Sequence, residues 1–423
     1  MNGYLVPSLC GRTYIYGSHT DASVSSRIVA TLTMHIDPSF LQKALNEAMK
    51  RFPQMAVGLI EAGDERTFIS IGGDVPVFTP QKPGPDNFSD PALSGYLFKV
   101  SCCYKSIFFD FHRALADEFG MMEFTKAVIL RCLELADYKV VADGTVKSVA
   151  GDYFIAEGSD PMVRMEDVSA SRPVWYMDAK AMLAEKAEGT CEEVVQVRIP
   201  ISNLKKDYLE MPTAPVTYMA PFISHAVYEL FGDPDAGEYV VAAVQVNLRP
   251  YYPSATMRPY HTPAFLAYNR NIMEYPYKTV LMSQKKLLEA QLKPDTLAYS
   301  AQRKIADIYK AHDTSSTIDQ LDKAFDLIQE NMSRRATYDI CRVGNVRLPE
   351  TMQRLVTDFY PVIPSSGKTV SVAVGTYRGN LLVTVSGRTK SYDVCQRLVE
   401  LLKENDIDAY IADRYVFTPL SMI

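Results

Sequence analysis

Within twelve consecutive residues, Phe109-Asp-Phe-His-Arg-Ala-Leu-Ala-Asp-Glu-Phe-Gly120, the chain sets a histidine, an arginine and three carboxylates. Neutral imidazole has a lone pair near neutral pH, so His112 has the chemistry of a general acid or base. Arg113 has no such lone pair. Its guanidinium stays protonated and offers only donors, which suits anion binding or oxyanion stabilisation. Asp117 precedes an apolar-periodic run, the place of a helix N-cap, and Glu118 follows it. The other histidines, at 19, 35, 225, 261 and 312, are dispersed, and nothing pairs them with a serine or cysteine nucleophile. His225 reads as a packed core histidine. The seven cysteines are scattered, with no Cys-x-x-Cys or Cys/His cluster, so no metal site is expected. They read as small buried apolar residues in a reducing compartment.

The elements that position these groups follow from periodicity. Gly95–Cys103 and Ser106–His112 read as two strands of a hairpin across the short Tyr104-Lys105 link. A helix follows from about Glu118 to Asp137, because Met121, Phe124, Val128, Cys132 and Leu135 share one face. Upstream, Arg27–Ile36 alternates as a strand. Asp37-Pro38 then opens a helix with the stripe Leu41, Leu45 and Met49. Short strands at Met55–Ile60 and Arg66–Ile71 complete a first lobe, residues 1–140. Residues 141–190 read as a connection with some helix near Met177–Ala187. A second lobe, 191–423, opens with the strand Glu192–Ile199. It continues with a helix over Val216–Phe231 and a central strand over Glu238–Leu248. A strand over 264–273, a helix over 278–293 and a polar helical stretch over 297–333 follow. Strands at 338–343, 369–376 and 380–386 precede a last helix near 390–404. The mixture lacks a strict βαβ rhythm, so the fold class is α+β, two-layer α/β lobes.

Composition narrows the function. A chain of 423 residues is long enough for two or three domains. With 47% hydrophobic and 22% charged residues it is ordinary for a globular protein. A net charge of −6 argues against a nucleic-acid surface. No apolar run approaches a membrane span, and the N-terminus lacks the pattern of a signal peptide, so a cytoplasmic location is expected. Glycine-rich nucleotide loops are absent. Lys285-Lys286 and Arg334-Arg335 are candidates for CoA phosphates, or solvated helix faces.

The stretch around His112 resembles His-His-x-x-x-Asp-Gly, the signature of the chloramphenicol acetyltransferase-like superfamily. In gapless register His112 matches the first His, Arg113 the second, Asp117 the Asp and Glu118 the Gly. Val244-Gln-Val-Asn-Leu-Arg-Pro-Tyr-Tyr-Pro-Ser-Ala-Thr256 is similar to a Val-Pro-Val-Asn-Leu-Arg-x-x-x-Pro-Ser-x-Thr segment of bacterial alcohol acetyltransferase-like proteins. Gly344-Asn-Val-Arg-Leu-Pro-Glu-Thr-Met352 is similar to their Gly-x-Val-x-Leu-Pro-Glu-x-Met. The resemblance extends to condensation domains and implies two similar lobes with a tunnel between them. It implies no covalently bound cofactor. Acyl-CoA or an acyl carrier protein would supply a thioester from one side, and a small alcohol or amine would enter from the other. In that family the second His takes the acceptor's proton, and the Asp is structural and pairs with an Arg.

Arg113 at the base's position implies a degenerate acyltransferase site with thioester or acceptor binding retained. Two alternatives stand beside it: an active O- or N-acyltransferase using His112 or water, and a non-catalytic interaction protein with a closed tunnel. A one-residue slip would put His112 in the base's place but turn Phe108 and Asp110 to the wrong face, so a structural histidine is preferred. Glu118 would narrow the channel or pair with Arg113. Arg113 is expected to pair with Glu118 or Asp117, or with a bound anion. Arg249, with Asn247 beside it, either reaches Asp117 or lies on the surface. Ser254 and Thr256 either bond the turn around Pro253, the preferred reading, or line the tunnel.

Overall fold

The computed structural model describes residues 5–17, 24–173, 180–183, 189–204, 214–233 and 237–422. The first lobe is built on strand β1 (Ser25–Leu32) and the hairpin β5 (Phe98–Cys103) and β6 (Ser106–His112). Cys103 sits opposite Ser106, and Tyr104 makes the two-residue link in the left-handed region, φ 52°. Helix α1 (Leu9–Ile15) precedes β1. Helices α2 (Pro38–Arg51) and α3 (Glu118–Leu135) cover the sheet. Asp37 caps α2 by accepting from the Ser39 N–H at 2.8 Å. Period-two alternation puts Phe109 and Phe111 on one face, where Phe109 stacks on Phe111 and Phe111 meets Phe124 of α3 and, through it, Phe52. Phe98 joins them, and all five rings are buried.

Strands β2 (Val57–Ala62) and β3 (Glu65–Ser70) form a separate hairpin, and the short β4 (Val77–Phe78) extends the main sheet. The main sheet runs β11-β1-β6-β5-β4, and β11 (Val356–Val362) arrives from the far end of the chain to pair antiparallel with β1. A second sheet of seven strands runs β14-β7-β13-β12-β10-β8-β9. Its members are β7 (Glu192–Pro200), β8 (Val240–Asn247), β9 (His261–Tyr268), β10 (Tyr338–Asn345), β12 (Ser371–Tyr377), β13 (Asn380–Gly387) and β14 (Tyr410–Phe417). Helices α4 (Ala214–Phe231), α5 (Tyr277–Gln291), α6 (Pro294–Asp313), α7 (Ile318–Ser333) and α8 (Ser391–Glu404) belong to this half of the chain.

The fold is thus two α/β layers, as the class expected. The lobes interlock, because β11 lies within 191–423 yet completes the sheet of the first lobe. The chain's last residues also return: Phe88 N–H donates to the Ser421 carbonyl (3.0 Å), and Phe417 covers Arg27 of β1 at 4.5 Å.

Several boundaries move for local reasons. The strand expected over Arg27–Ile36 ends at Leu32, beyond an irregularity in its pairing with β11. The strand expected over 264–273 ends at Tyr268, since the Asn269 side chain caps a helical turn, Arg270–Met273. The stretch over 297–333 splits where Thr317 caps α7. Strand β8, expected to be central, is one removed from the edge. Helix α1, β4, β11 and β14 went unread. The helix expected near Met177–Ala187 lies outside the described residues except for 180–183, where Ala181 bridges Tyr239. His19 also lies outside them.

Candidate functional site

The turn after β6 is closed by its own backbone. Arg113 N–H donates to the Val24 carbonyl (2.8 Å) and Leu115 N–H to the His112 carbonyl (3.0 Å). Helix α1 presses on this turn, since a side chain at Gly11 would come within 2.9 Å of the Ala114 carbonyl oxygen. Asp117 then caps α3, accepting from the Gly120 N–H at 3.1 Å. The start of α3 sits so close to the segment before β9 that a Cβ at Gly120 would lie 1.9 Å from the Met257 carbonyl oxygen. Close backbone approach therefore requires glycine at 120, whereas position 118, where the family motif has it, accommodates a glutamate.

Asp117 is the hub between the lobes. Its carboxylate takes a two-pronged bond from Arg249, Nη1 at 2.7 Å and Nη2 at 3.1 Å, and a third from the Tyr260 N–H at 3.0 Å. Arg249 spends its remaining donors on the Thr256 carbonyl (3.0 Å), the Arg258 carbonyl (2.8 Å) and Asn247 Oδ1 (3.1 Å). Its guanidinium rests on the Phe119 ring at 4.5 Å. Five donors thus have acceptors, which is what lets a charge sit at 9% exposure beside a carboxylate at 7%. Of the two readings of Arg249, it is the inter-lobe ion pair that the structure contains. Thr256 N–H takes the turn bond to Ser254 Oγ (3.2 Å).

Arg113 looks into a different environment. Its guanidinium lies over the Tyr14 ring of α1, 4.6 Å from the centroid. The expected pairing of Arg113 with Asp117 or Glu118 is corrected. Asp117 is committed to Arg249, and no salt bridge joins Glu118 to Arg113 among the described residues, although Arg113 acts on the Glu118 carboxyl electrostatically. Glu118 and Asp339 reach Arg113 only through space, and among the described residues Arg113 has no salt bridge. Lys304 of α6 bonds the Cys10 thiol of α1, and Cys10 lies 4.0 Å from the His261 carbonyl oxygen. His261 opens β9 directly across from Asn247.

Tyr14, Arg113, Glu118, His261 and Lys304 share a property. Each keeps part of its surface accessible, yet protein surrounds each closely enough that desolvation is the foremost influence on its protonation. Burial pushes the Glu118 carboxyl up, against the attraction of Arg113. Burial, reinforced by the Lys304, Arg113 and Arg249 cations, holds the His261 imidazole well below its usual range. Burial likewise raises the Tyr14 phenol and the Cys10 thiol, so both are neutral near pH 7. Burial works against the Lys304 ammonium, but its Cys10 and Tyr14 neighbours offset this and keep its pKa above the usual value.

His112 is elsewhere. It is fully buried, its Nδ1 accepts the Ala114 N–H at 3.1 Å, and its ring stands edge-on to Phe88 at 5.2 Å. Its face of β6 is that of Asp110, which takes a two-pronged bond from Arg27. Sequence reasoning passed over Tyr14, Cys10, His261, Lys304 and Cys341. Only His261 carried a signal, a strand start five residues beyond the Val244–Thr256 segment. The basic pairs lie on helix surfaces, Lys285 near Glu289 (3.6 Å) and Arg334 near Glu330 (2.5 Å). Among the described residues no group of three His, Cys, Asp or Glu is placed to hold a metal, and no helix is long and apolar enough to cross a membrane.

No protein-family model and no curated protein matches this chain. Solved structures do. The polyketide synthase associated protein 5 from Mycobacterium tuberculosis superposes with a TM-score of 0.62 at 12% identity, over 95% of this chain and 98% of that one. F. sporotrichioides TRI101, complexed with Coenzyme A and T-2, gives 0.57 at 11% identity, over 96% and 99%. A starter condensation domain of the rhizomide synthetase gives 0.54 at 10% identity, over 97% and 99%. At these identities the likeness is one of fold, and it covers 95–97% of the chain.

Proposed function

We propose that this chain, whose fold is that of the chloramphenicol acetyltransferase-like, CoA-dependent acyltransferases, binds an acyl thioester of CoA or a carrier protein between its lobes. A small alcohol or amine would meet it there, and the proton abstraction of that family is lost. The observation that supports this reading is Arg113, which stands where the resembling motif has its second His and lies over the Tyr14 ring at 4.6 Å. A guanidinium cannot accept the acceptor's proton, because its pKa lies above about 12. His112 does not substitute, because it is packed against Phe88 with its Nδ1 already accepting a backbone N–H. Thioester binding is supported by the fold neighbours solved with Coenzyme A and with C8-CoA.

One observation favours a second reading, in which transfer persists through His261. Its imidazole is biased to the neutral form, and the residue is half-buried rather than sealed in the core. In that case His261 takes the acceptor's proton as its oxygen or nitrogen attacks the thioester carbonyl. The C–S bond breaks, and the proton ends on the departing CoA sulfur.

The test is calorimetric binding of acetyl- and butyryl-CoA, together with release of free CoA in the presence of simple alcohols and amines. The proposal expects binding without turnover in the wild type, and turnover gained in Arg113→His. No acyl-CoA binding would refute it. Wild-type turnover lost in His261→Gln would establish the second reading, and turnover lost in His112→Ala with the fold intact would overturn both.

A further inference from the structure

His312 stands in the last turn of α6, and its ring is fixed by a partner that can only donate. Arg12 of α1 places Nη1 3.0 Å from His312 Nε2. A guanidinium has no lone pair to offer, so Nε2 must accept, and the proton of the neutral ring lies on Nδ1. Nδ1 faces Glu65 of β3, 3.8 Å away. The ring stands edge-on to Tyr16 at 5.7 Å and to Phe325 of α7 at 5.8 Å, and the side chain is 14% exposed. Beside it, Arg66 of β3 and Asp322 of α7 match their charges in a two-pronged bond of 2.5 and 3.0 Å, and the Tyr16 hydroxyl accepts the Arg66 N–H at 2.9 Å. On the ring's own helix, Asp313 acts through space. Elements of both lobes therefore meet at one imidazole.

Helix α1 is the element that presses on the motif turn at Gly11 and lays Tyr14 over Arg113. Its other anchors include the Leu9 N–H on Asp160 (2.6 Å), Arg66 on the Ile15 carbonyl (3.0 Å) and Gln329 on the Thr13 carbonyl (2.7 Å), and none of these involves an imidazole. Protonation of His312 would set an N–H against the Arg12 guanidinium, so the hydrogen bond is lost and two cations face each other. We propose that Arg12, His312 and Glu65 form a proton-sensitive latch between the lobes: neutral His312 fastens α1 over the motif turn, and protonation of the ring loosens it there. Burial and Arg12 outweigh the pull of Glu65 and Asp313 and hold the imidazole below its usual range. The loosened form therefore binds the proton more readily, so the latch holds above about pH 6.5 and weakens as pH falls below it.

Hydrogen exchange of the α1 amides in the full chain, corrected for intrinsic rates, measures the latch. A ring that titrates near about pH 6.5 when loose and stays neutral when latched costs α1 about tenfold in protection between about pH 7.5 and 5.5. The amides of α8, remote from the latch in sequence, lose less over the same range. In His312→Gln, whose amide oxygen still accepts from Arg12 but does not titrate, the loss in α1 disappears. Imidazole nitrogen NMR gives a second measurement, which serves if His312→Gln fails to fold by far-UV circular dichroism. At neutral pH the wild-type His312 carries its proton on Nδ1, and Arg12→Met raises its pKa, because Glu65 and Asp313 then act without the opposing charge. The proposal is overturned if α1 protection is independent of pH, falls only in step with α8, or falls equally in His312→Gln. It is also overturned if the neutral ring carries its proton on Nε2, or if His312 titrates alike in the wild type and Arg12→Met.

Discussion

The Asp117–Arg249 pair is the sharpest test of how this fold holds its site. Replacing Arg249 by Met keeps the stem and removes the charge. It leaves the Asp117 carboxylate at 7% exposure with only the Gly120 and Tyr260 N–H groups, and strips the Thr256 and Arg258 carbonyls of their donors. Stranding one member of a buried ion pair costs about 3–5 kcal/mol. Asp117→Ala strands the guanidinium instead and also removes the α3 cap, adding about 1 kcal/mol. If the two side chains act as a unit, the double variant cannot lose the same interaction twice. The Asp117→Ala/Arg249→Met protein should therefore be more stable than the sum of the singles predicts, by about 2–3 kcal/mol, at the upper end of couplings between residues in direct contact. Denaturant unfolding followed by far-UV circular dichroism, with matched slopes across the four proteins, gives the coupling. Single-variant costs that add to within about 0.5 kcal/mol would refute the claim that this pair ties the motif turn to the second lobe.

Gly120→Ala drives a methyl to 1.9 Å from the Met257 carbonyl oxygen, so α3 must shift; a loss of at least about 1–3 kcal/mol is expected in the same unfolding assay. A wild-type-like midpoint would contradict this close approach. His261 has a depressed folded pKa, so the unfolded chain binds its proton first and stability falls as pH drops below about 6.5. His261→Gln should flatten that acid limb, measured as midpoint against pH between 7 and 5, whereas an unchanged limb would show that neither burial nor the Lys304, Arg113 and Arg249 charges depress the imidazole. Glu118 has the opposite sign. Its folded pKa is raised, so the folded form holds the proton more tightly and stability declines as pH rises above about 4.3. Glu118→Gln should gain stability relative to wild type between pH 4.5 and 8, and a constant difference across that range would refute it.

The motif turn was legible because its parts are local. Alternation in Ser106–His112, a two-residue link before it and a carboxylate ahead of an apolar-periodic helix each act over a few residues, and the hairpin, the Asp117 cap and α3 appear where that pattern put them. The split of the 297–333 stretch at Thr317 and the short helical turn capped by Asn269 were missed for the converse reason. Their helical or apolar neighbours continue the pattern while a single polar side chain interrupts it. Helix α1 offers only seven residues, too few for periodicity to speak.

Sequence by itself determined that this is a chain of mixed α/β layers, and that one turn, similar to a family motif, holds an arginine, unable to accept a proton, where that motif has its second histidine. Those conclusions rest on covalent identity and short-range geometry. Tertiary structure alone decided that Asp117 belongs to Arg249 and not to Arg113. It alone gathered Tyr14, His261 and Lys304 around Arg113, and sent His112 to the other face. Residues 14, 113, 261 and 304 come from four elements in two lobes, and their meeting depends on β11 returning to pair with β1 and on α1 packing against the motif turn. Such contacts arise from the burial of whole faces, a non-directional force summed over the fold, which no window of neighbouring residues records.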